Sequence, residues 1–547
     1  MNNLSETKQS LLAELQARVQ DKILEPSNAA LLTKLITNAD NDDEALAIAA
    51  LGTTYKRTGF HFDKRMEEPR MTDTIKYFKK NESLSFGQVS EGEPAHKLII
   101  GDNYDALQNL LIQYRGQIDV IYIDPPYGKD SMGEFAKTNY HNSISRDNLL
   151  SMLYFRLELA KQLLSDKGVI FCSIDDKNQA YVKCLFDEVF KERNFIGQLI
   201  LKTATDNNPS QITIEHEYML CYSLKKEKQT KWERLSQGAE LIIEKYHQIK
   251  ELGLSITEEQ KELRKWIKEN KTILSGVSHY NNIDESGVYS SSGNSSNPHP
   301  GGYNYDIIHP VTQHPCPNPV NGWRWPEETF WEYDKDGQII WGRDHQTQPH
   351  VKKRIETARD TLRTLIYEDN RATTQMLEKI FNNKDLFSNP KPQNVLARIF
   401  DFVTTEDSII LDFFAGSGTT GHAVLELNKD GGNRTFILCQ LNEKTETTPN
   451  GIAYDVTSKR LKRIMTGECY DGSKDFKWAE ENDPYGGKLD VYEIAEVSNA
   501  SAIQGQTPFD VIDETLYGKE RFTSAKEKIE WVCKNFVQTQ MSVTKED

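Results

Sequence analysis

Hydrophobic and polar positions alternate along this chain in two rhythms. Ile118-Asp119-Val120-Ile121-Tyr122-Ile123 is a short, β-branched apolar run, the pattern of a buried strand. Ser408-Ile409-Ile410-Leu411-Asp412 and Arg434-Thr435-Phe436-Ile437-Leu438-Cys439-Gln440-Leu441 read the same way. Between such runs lie helical patterns. Leu149, Leu150, Met152, Leu153, Phe155, Leu157, Leu159, Ala160, Leu163 and Leu164 predict a long apolar helix, and 422–427 a shorter one. Strands alternating with crossover helices predict a doubly wound α/β domain. Here the pattern comes in two halves, 91–225 and 386–475.

Three other regions have different rhythms. Residues 1–90 carry Leu11, Leu12, Leu15, Val19 and Ile23 at helical spacing, with acids at 40–44, and predict a helical region. That region either packs on the core or docks on a second copy or a partner. Residues 226–385 form an insert. It opens with a charged helical stretch over 241–272 and a polar loop over 290–297, expected to be flexible. Trp323, Trp325, Trp331 and Trp341 follow, as the core of a small β domain or as neighbours of base-reading side chains such as Arg324, Arg343, His345 and Gln346. Asp334-Lys335-Asp336-Gly337 predicts a hairpin turn between Phe330-Trp331 and Ile339-Ile340-Trp341. Residues 456–464 open a basic amphipathic helix, Asp483-Pro484-Tyr485 reads as a linker turn, and 476–547 is expected to be a small C-terminal unit.

Composition narrows the classes. The 547 residues carry 66 Lys and Arg against 82 Asp and Glu, a net charge of −16. This excludes a non-specific basic coat for nucleic acid but leaves room for a local basic groove. Lys225-Lys226-Glu227-Lys228 and Lys352-Lys353-Arg354 are groove candidates, or simply solvated faces. No run of 18 apolar residues suggests a membrane span, and Met1-Asn2-Asn3-Leu4-Ser5-Glu6 lacks the pattern of a secretion signal. The seven cysteines are scattered with no C-x-x-C pair, so no metal site is expected and a reducing cytoplasm fits.

Two motifs carry chemistry. Asp124-Pro125-Pro126-Tyr127 follows the 118–123 strand, where open α/β sheets place their reacting groups. Its parts suit a planar exocyclic amine. Asp124 can accept an N–H, two prolines stiffen the loop and aim carbonyls outward, and Tyr127 offers a stacking face. An amine so held turns its lone pair toward an electrophile. The plainer reading is an Asp-Pro turn. The second motif is Asp412-Phe413-Phe414-Ala415-Gly416-Ser417-Gly418-Thr419-Thr420-Gly421, a glycine-rich turn between strand and helix. That context makes a cofactor site, with Glu443 after the next strand placed for ribose hydroxyls. A nicotinamide site would share these features, but Asp412 and Phe414 suit an amino-acid moiety better than a pyrophosphate.

With these motifs in this order, the chain resembles the β class of S-adenosylmethionine-dependent amino DNA methyltransferases, whose motif order is circularly permuted. It is most similar to the modification (Mod) subunits of type III restriction-modification systems. Gly101-Asp102-Asn103-Tyr104-Asp105-Ala106-Leu107, residues 168–176, 216–222, Asn389-Pro390-Lys391-Pro392 and Asp513-Glu514-Thr515-Leu516-Tyr517-Gly518 all resemble motifs of that family. The likeness implies a Rossmann-like methyltransferase domain, with 226–385 as the target-recognition domain and small N- and C-terminal units. It implies Asp124, Pro125, Pro126 and Tyr127 as the catalytic loop. Asp412, Phe414, Ala415, Gly416, Ser417, Gly418, Thr419 and Glu443 would line the cofactor, Asp102 and Asn103 its adenine, and Lys391 and Pro392 its methionine end. It further implies double-stranded DNA as substrate, adenine N6 as target, a homodimer and a restriction (Res) subunit as partner. Asp at the first motif position favours adenine, whereas Ser is commoner in N4-cytosine enzymes. An N4-cytosine enzyme, an RNA adenine methyltransferase and a non-catalytic recognition subunit for a nuclease are the rivals. The chain contains no G-x-x-x-x-G-K-[ST], so any cleavage would belong to another subunit.

Overall fold

The computed structural model describes residues 4–20, 26–53, 74–88, 95–126, 146–202, 212–368, 370–383, 386–387, 390–498 and 507–537. The chain divides into two compact units, Met1–Thr230 with Arg363–Asp547, and Lys231–Leu362. The first unit begins with β1 (Thr74–Lys80), β2 (Ala95–Ile100), β3 (Ile118–Ile123), β4 (Leu164–Ile174), β5 (Phe195–Lys202) and β6 (His216–Ser223). The second contains β7 (Glu233–Leu235), β8 (Asn282–Asp284), β9 (Gly287–Gly293), β10 (Ile339–Ile340), β11 (His350–Arg354) and β12 (Arg359–Thr361). The chain then returns to the first unit with β13 (Leu365–Tyr367), β14 (Ile409–Asp412), β15 (Thr435–Gln440) and β16 (Lys488–Ser498).

One ten-stranded sheet organises the first unit, in the order β1-β16-β2-β15-β14-β3-β4-β6-β5-β13. Its centre, β2-β15-β14-β3-β4, is parallel throughout. β6 runs antiparallel to both of its neighbours, β4 and β5. The doubly wound α/β architecture is therefore present. Ile121, Ile123, Leu411, Ile437 and Cys439 join a core with Leu107 and Leu110 of the helix Asn103–Tyr114, Leu153 and Leu157 of Arg146–Leu163, and Phe186 of Gln179–Phe190. On the other face, Tyr122 meets Phe400 of the helix Gln393–Val403 edge to face, and Phe436 and Leu438 lie against Gly421. Strands buried on both faces explain why β3, β14 and β15 read as continuous apolar runs rather than alternating ones.

The sheet takes in more of the chain than the sequence pattern indicates. β1 comes from the region read as helical, and β16 from the region read as a separate C-terminal unit. They pair with each other, and β16 pairs with β2. Tyr517 fastens the C-terminal segment to this edge. Its hydroxyl accepts from the Phe78 backbone N–H at 2.8 Å and donates to Asn109 Oδ1 at 2.7 Å, and its ring stacks on Phe78. The three N-terminal helices, Glu6–Gln20, Pro26–Asn38 and Asp42–Thr53, share a small core of Leu15, Ile36, Ala39 and Ala45. Ile23 lies outside the described residues.

The second unit holds two small sheets, β10-β11-β9-β8 and β12-β7. The charged stretch forms two helices, Gln237–Lys250 and Ile256–Glu269, which bury Ile242, Ile249, Leu263 and Ile267. Two expectations are corrected here. The serine run at 290–293 is part of β9, not a loop. Ser290 is buried, and its hydroxyl is bonded to that of Ser292 at 2.8 Å, so polar side chains satisfied within the strand replace apolar ones. Asp336-Gly337 closes the helix Glu327–Lys335 instead of turning a hairpin. The Asp336 N–H donates to Glu332 O, and Gly337 takes φ +65°, as a left-handed helix stop requires. Trp323 is buried with Phe330, and Trp331 and Trp341 pack against them, so these tryptophans form a core. No helix among the described residues is long and apolar enough to cross a membrane.

Candidate active site

Four parallel strands end at one edge of the sheet, and the chemistry-bearing loops leave from there. β2 leads to Gly101-Asp102-Asn103, β3 to Asp124, β14 to Phe413 and the glycine loop, and β15 to Leu441 and Glu443. The strand register fixes their proximity, because Ile410 and Leu411 lie directly across from Val120 and Ile121.

Asp124 is half-buried at the tip of β3, followed by buried Pro125 and half-buried Pro126. Tyr127 lies outside the described residues. Lys391 reaches Asp124 from the segment before the helix Gln393–Val403, where Pro392 occupies the N-cap position. The Lys391 ammonium donates to Glu217 Oε2 at 2.5 Å and lies 3.4 Å from Asp124 Oδ1. Burial works against its charge, yet the Asp124 and Glu217 carboxylates hold it above the ordinary lysine range. Glu217 reaches this edge because β6 runs backward, bringing its first residues to the ends of the parallel strands.

The glycine loop is built around Asp412. This carboxylate is 1% exposed, and burial raises it from its ordinary 3.8 to about 7. The Phe414 N–H and the Thr420 hydroxyl donate to it at 2.9 and 2.6 Å and oppose the rise, and the Asp124 charge adds to it. Asp412 thus pins the start of the loop to the first turn of the helix Thr419–Leu427. Gly416 and Gly418 take φ +53° and +80°, where a side chain is strained. Ala415 N–H donates to Cys439 O at 3.1 Å and Gly416 N–H to Gln440 Oε1 at 2.6 Å, so β15 braces the loop from behind. Phe414 is half-buried beside it.

Ser417 and Thr419 turn their side chains inward. Both hydroxyls accept from Arg460 Nη1 at 3.0 Å. Arg460 sits on the buried face of the helix Lys459–Thr466, and burial lowers its guanidinium to about 9. Its Nη2 donates to His422 Nδ1 at 3.1 Å. Burial first, and then the Arg460 charge, keep His422 neutral, so its Nε2–H donates to the Tyr485 hydroxyl at 3.2 Å. Tyr485 in turn donates to Glu426. A relay of neutral groups links the buried cation to a carboxylate.

The β2 loop is joined to the glycine loop directly, as Asn103 Nδ2 donates to Phe413 O at 2.7 Å. Asp102 caps the helix Asn103–Tyr114 through the Tyr104 N–H at 2.8 Å. Arg156, 5% exposed, donates from Nε to Asn103 Oδ1 at 2.5 Å and from Nη2 to Asp102 Oδ1 at 3.2 Å. Glu443 is half-buried, and its carbonyl accepts from the Ile452 N–H at 2.9 Å.

Among the expected site residues, Asp102 and Asn103 are bonded to Arg156, Asn103 to the glycine loop and Asp412 across it, while Lys391 pairs with Asp124 and Glu443 follows the neighbouring strand. Lys391 pairs with both Asp124 and Glu217. Glu217, Gln440 and Arg460 fall in segments read as a family-like motif, a strand and a basic helix, without a site role, and Arg156 was not singled out at all. Arg460 had one usable signal, lying one helical turn before buried Ile464, at the margin of an apolar face. The two basic clusters are largely engaged in the scaffold. Lys225 and Lys228 pair with Asp166, Lys226 donates to Phe195 O at 2.7 Å, and Lys352 and Arg354 both pair with Asp284 at 2.6 Å.

The sheet order, the permuted loops and an acid at the end of β3 define a methyltransferase of the amino-group class. The chain belongs to the DNA methylase family, whose N6/N4 methyltransferase model matches residues 118–448. A model of an uncharacterised conserved protein also matches residues 2–120. The type III restriction-modification enzyme EcoP15I Mod subunit of Escherichia coli is 32% identical, over 71% of this chain and 67% of that one. The type II methyltransferase M.KpnI of Klebsiella pneumoniae is 30% identical, over 70% of this chain and 89% of that one. Among solved structures, the cytosine-N4-specific PvuII DNA methyltransferase is similar at 10% identity with a TM-score of 0.33, covering 70% of this chain and 95% of that one.

Proposed function

We propose that this chain is the modification subunit of a type III restriction-modification system, transferring a methyl group from S-adenosylmethionine to N6 of adenine in duplex DNA. The observation that carries this reading is Asp124, held half-buried at the end of β3 beside the glycine loop. The site suits the cofactor. Left-handed glycines let the backbone approach closely, and acids stand at both neighbouring strand ends. Asp102, Asn103, Phe414, Ala415, Gly416, Gly418 and Glu443 would line it, with Ser417 and Thr419 shaping the loop from behind. When bound, S-adenosylmethionine supplies a methyl group on a sulfonium centre.

In this reading the target base leaves the stack, at a cost of a few kcal/mol. Tyr127 stacks on it. Asp124 and the carbonyl of Pro125 or Pro126 accept from the amine, and positioning supplies most of the acceleration. Lys231–Leu362, inserted between β6 and β13, would read the sequence. Likeness to type III Mod subunits supports a Res-type partner; a homodimer belongs to the same proposal. A DNA substrate, and the free cysteines among the described residues, fit a cytoplasmic setting.

The test is incubation of the protein with unmethylated plasmid and S-adenosylmethionine, followed by nucleoside mass spectrometry. N6-methyladenine is expected, and sequencing of the same DNA gives the site. N4-methylcytosine would overturn the base assignment while keeping the fold. Asp124→Ala is expected to abolish methylation while cofactor binding, measured by calorimetry, persists. Near wild-type methylation would remove Asp124 from the mechanism.

A further inference from the structure

We infer that a cleft at the starts of β2, β15 and β16 is a second binding site, taking a small, flat, uncharged molecule whose carbonyl or ring-nitrogen acceptor bonds to His96 Nε2. The cleft is about 370 Å³ in volume, within the span of ~300–1,000 Å³ usual for small-molecule sites. It lies at the other end of the parallel strands from the loops of the candidate active site. His96 is the second residue of β2, Gly432 lies shortly before β15, Gly487 immediately precedes β16, and the three strands run the same way.

His96 points to the ligand. It lines the cleft yet is only 1% exposed. Its ring stacks on Phe436 with centroids 4.1 Å apart, and its Nδ1 accepts from the Phe436 N–H at 3.2 Å, so its orientation is fixed. Burial keeps the imidazole neutral, pulling its ionisation down to about 3. A neutral ring that accepts at Nδ1 carries its hydrogen on Nε2. Among the described residues, no group accepts from that N–H. A Cβ at Gly487 would stand 3.8 Å from Nε2, so glycine there keeps the approach clear. Buried donors are nearly always met, and this one is reached through the cleft.

The lining selects the class. Its other polar groups are engaged. The Tyr485 hydroxyl is bonded to His422 and Glu426, and the Asn428 amide to both backbone groups of Arg434. Lys429 is paired with Glu426 at 2.9 Å and lies over the Tyr485 ring, and Asp483 is exposed. A carboxylate at His96 would meet one neutral donor and a lysine already paired, and an ammonium would meet a donor. A neutral acceptor needs one N–H and an apolar wall, which Leu425 and Pro484 supply.

The experiment follows the His96 Nε2 resonance in the full chain labelled with ¹⁵N at histidine, assigned through its contact with the Phe436 ring. Nε2 should resonate as a protonated nitrogen. The probes are benzamide, benzoate and benzylamine, one frame with a neutral, an anionic and a cationic group. Benzamide should shift Nε2 saturably, half-complete at about 1 mM, as suits so small a molecule. Benzoate and benzylamine should bind at least tenfold more weakly. By calorimetry, His96→Gln should bind benzamide at least tenfold more weakly than wild type. If that variant does not fold, the resonance of the wild-type chain decides alone. An unprotonated Nε2, no saturable shift with benzamide, or an equal response to benzoate or benzylamine overturns the inference.

Discussion

Asp412→Asn should make the protein more stable at pH 8, and the gain should shrink as the pH falls. Asp412 is buried and raised from its ordinary 3.8 to about 7. An acid whose folded value lies above its unfolded value folds at no cost while protonated in both states, below about pH 4. As the pH rises, the unfolded chain ionises first and folding loses stability until the folded value is passed. From 3.8 to about 7 the full loss is ~4 kcal/mol, at about 1.36 kcal/mol per pH unit. About 2.5 kcal/mol of that accrues between pH 5 and pH 8. Asparagine does not titrate. Its amide oxygen can still accept from the Phe414 N–H, and its amide nitrogen can face the Thr420 hydroxyl. Weakening those bonds costs ~1–2 kcal/mol at every pH. The variant should therefore gain ~2 kcal/mol at pH 8 and little or nothing at pH 5. Urea denaturation of both proteins at the two pH values measures the difference. A stability difference that is the same at pH 5 and pH 8 would refute the reasoning, because it would mean that Asp412 has no raised ionisation in the folded protein.

Two further outcomes follow from the contacts. Arg156→Met removes the donors held by Asp102 and Asn103, and should weaken cofactor binding about tenfold, near 1.4 kcal/mol, in a calorimetric titration. Trp323→Ala empties a site where the indole N–H donates to Tyr305 O and Asn318 Oδ1, each at 2.9 Å. It should destabilise the second unit by ~3–5 kcal/mol, seen as an early transition in thermal unfolding, while cofactor affinity is retained.

The central strands were legible because burial on both faces writes itself as unbroken apolar runs, as in β3, β14 and β15. The Asp124-Pro125-Pro126 and glycine loops could be located because each sets rare residues in a fixed order after a strand. β16 was not, since Lys488, Asp490 and Glu493 break up its apolar residues and its partners lie hundreds of positions away. The serine strand β9 was hidden because turn-forming residues there satisfy one another along the strand. Glu217, Arg156 and Arg460 share a cause. Each is a charged residue in an otherwise regular element, and only the three-dimensional pairing distinguishes it from a solvated one.

That shared cause bears on how the site works. This end of the parallel strands collects Asp102, Asp124, Glu217, Asp412 and Glu443, with Lys391 and Arg156 as the cations paired with three of them. On the proposed reading, the methyl donor carries a sulfonium charge that its spent form lacks. An edge with excess carboxylate therefore favours the charged donor over the neutral product in a partly enclosed site, where charge interactions are stronger than in water. The basic groups do not cancel this excess but distribute it: Arg156 is spent on the β2 loop and Lys391 leans toward Glu217. What remains negative then lies chiefly at Asp124, where the amine and the donor would meet, since burial holds Asp412 near 7. On the same reading, the acidity that counts against nucleic acid when summed over the chain suits the charge of the methyl donor at this edge.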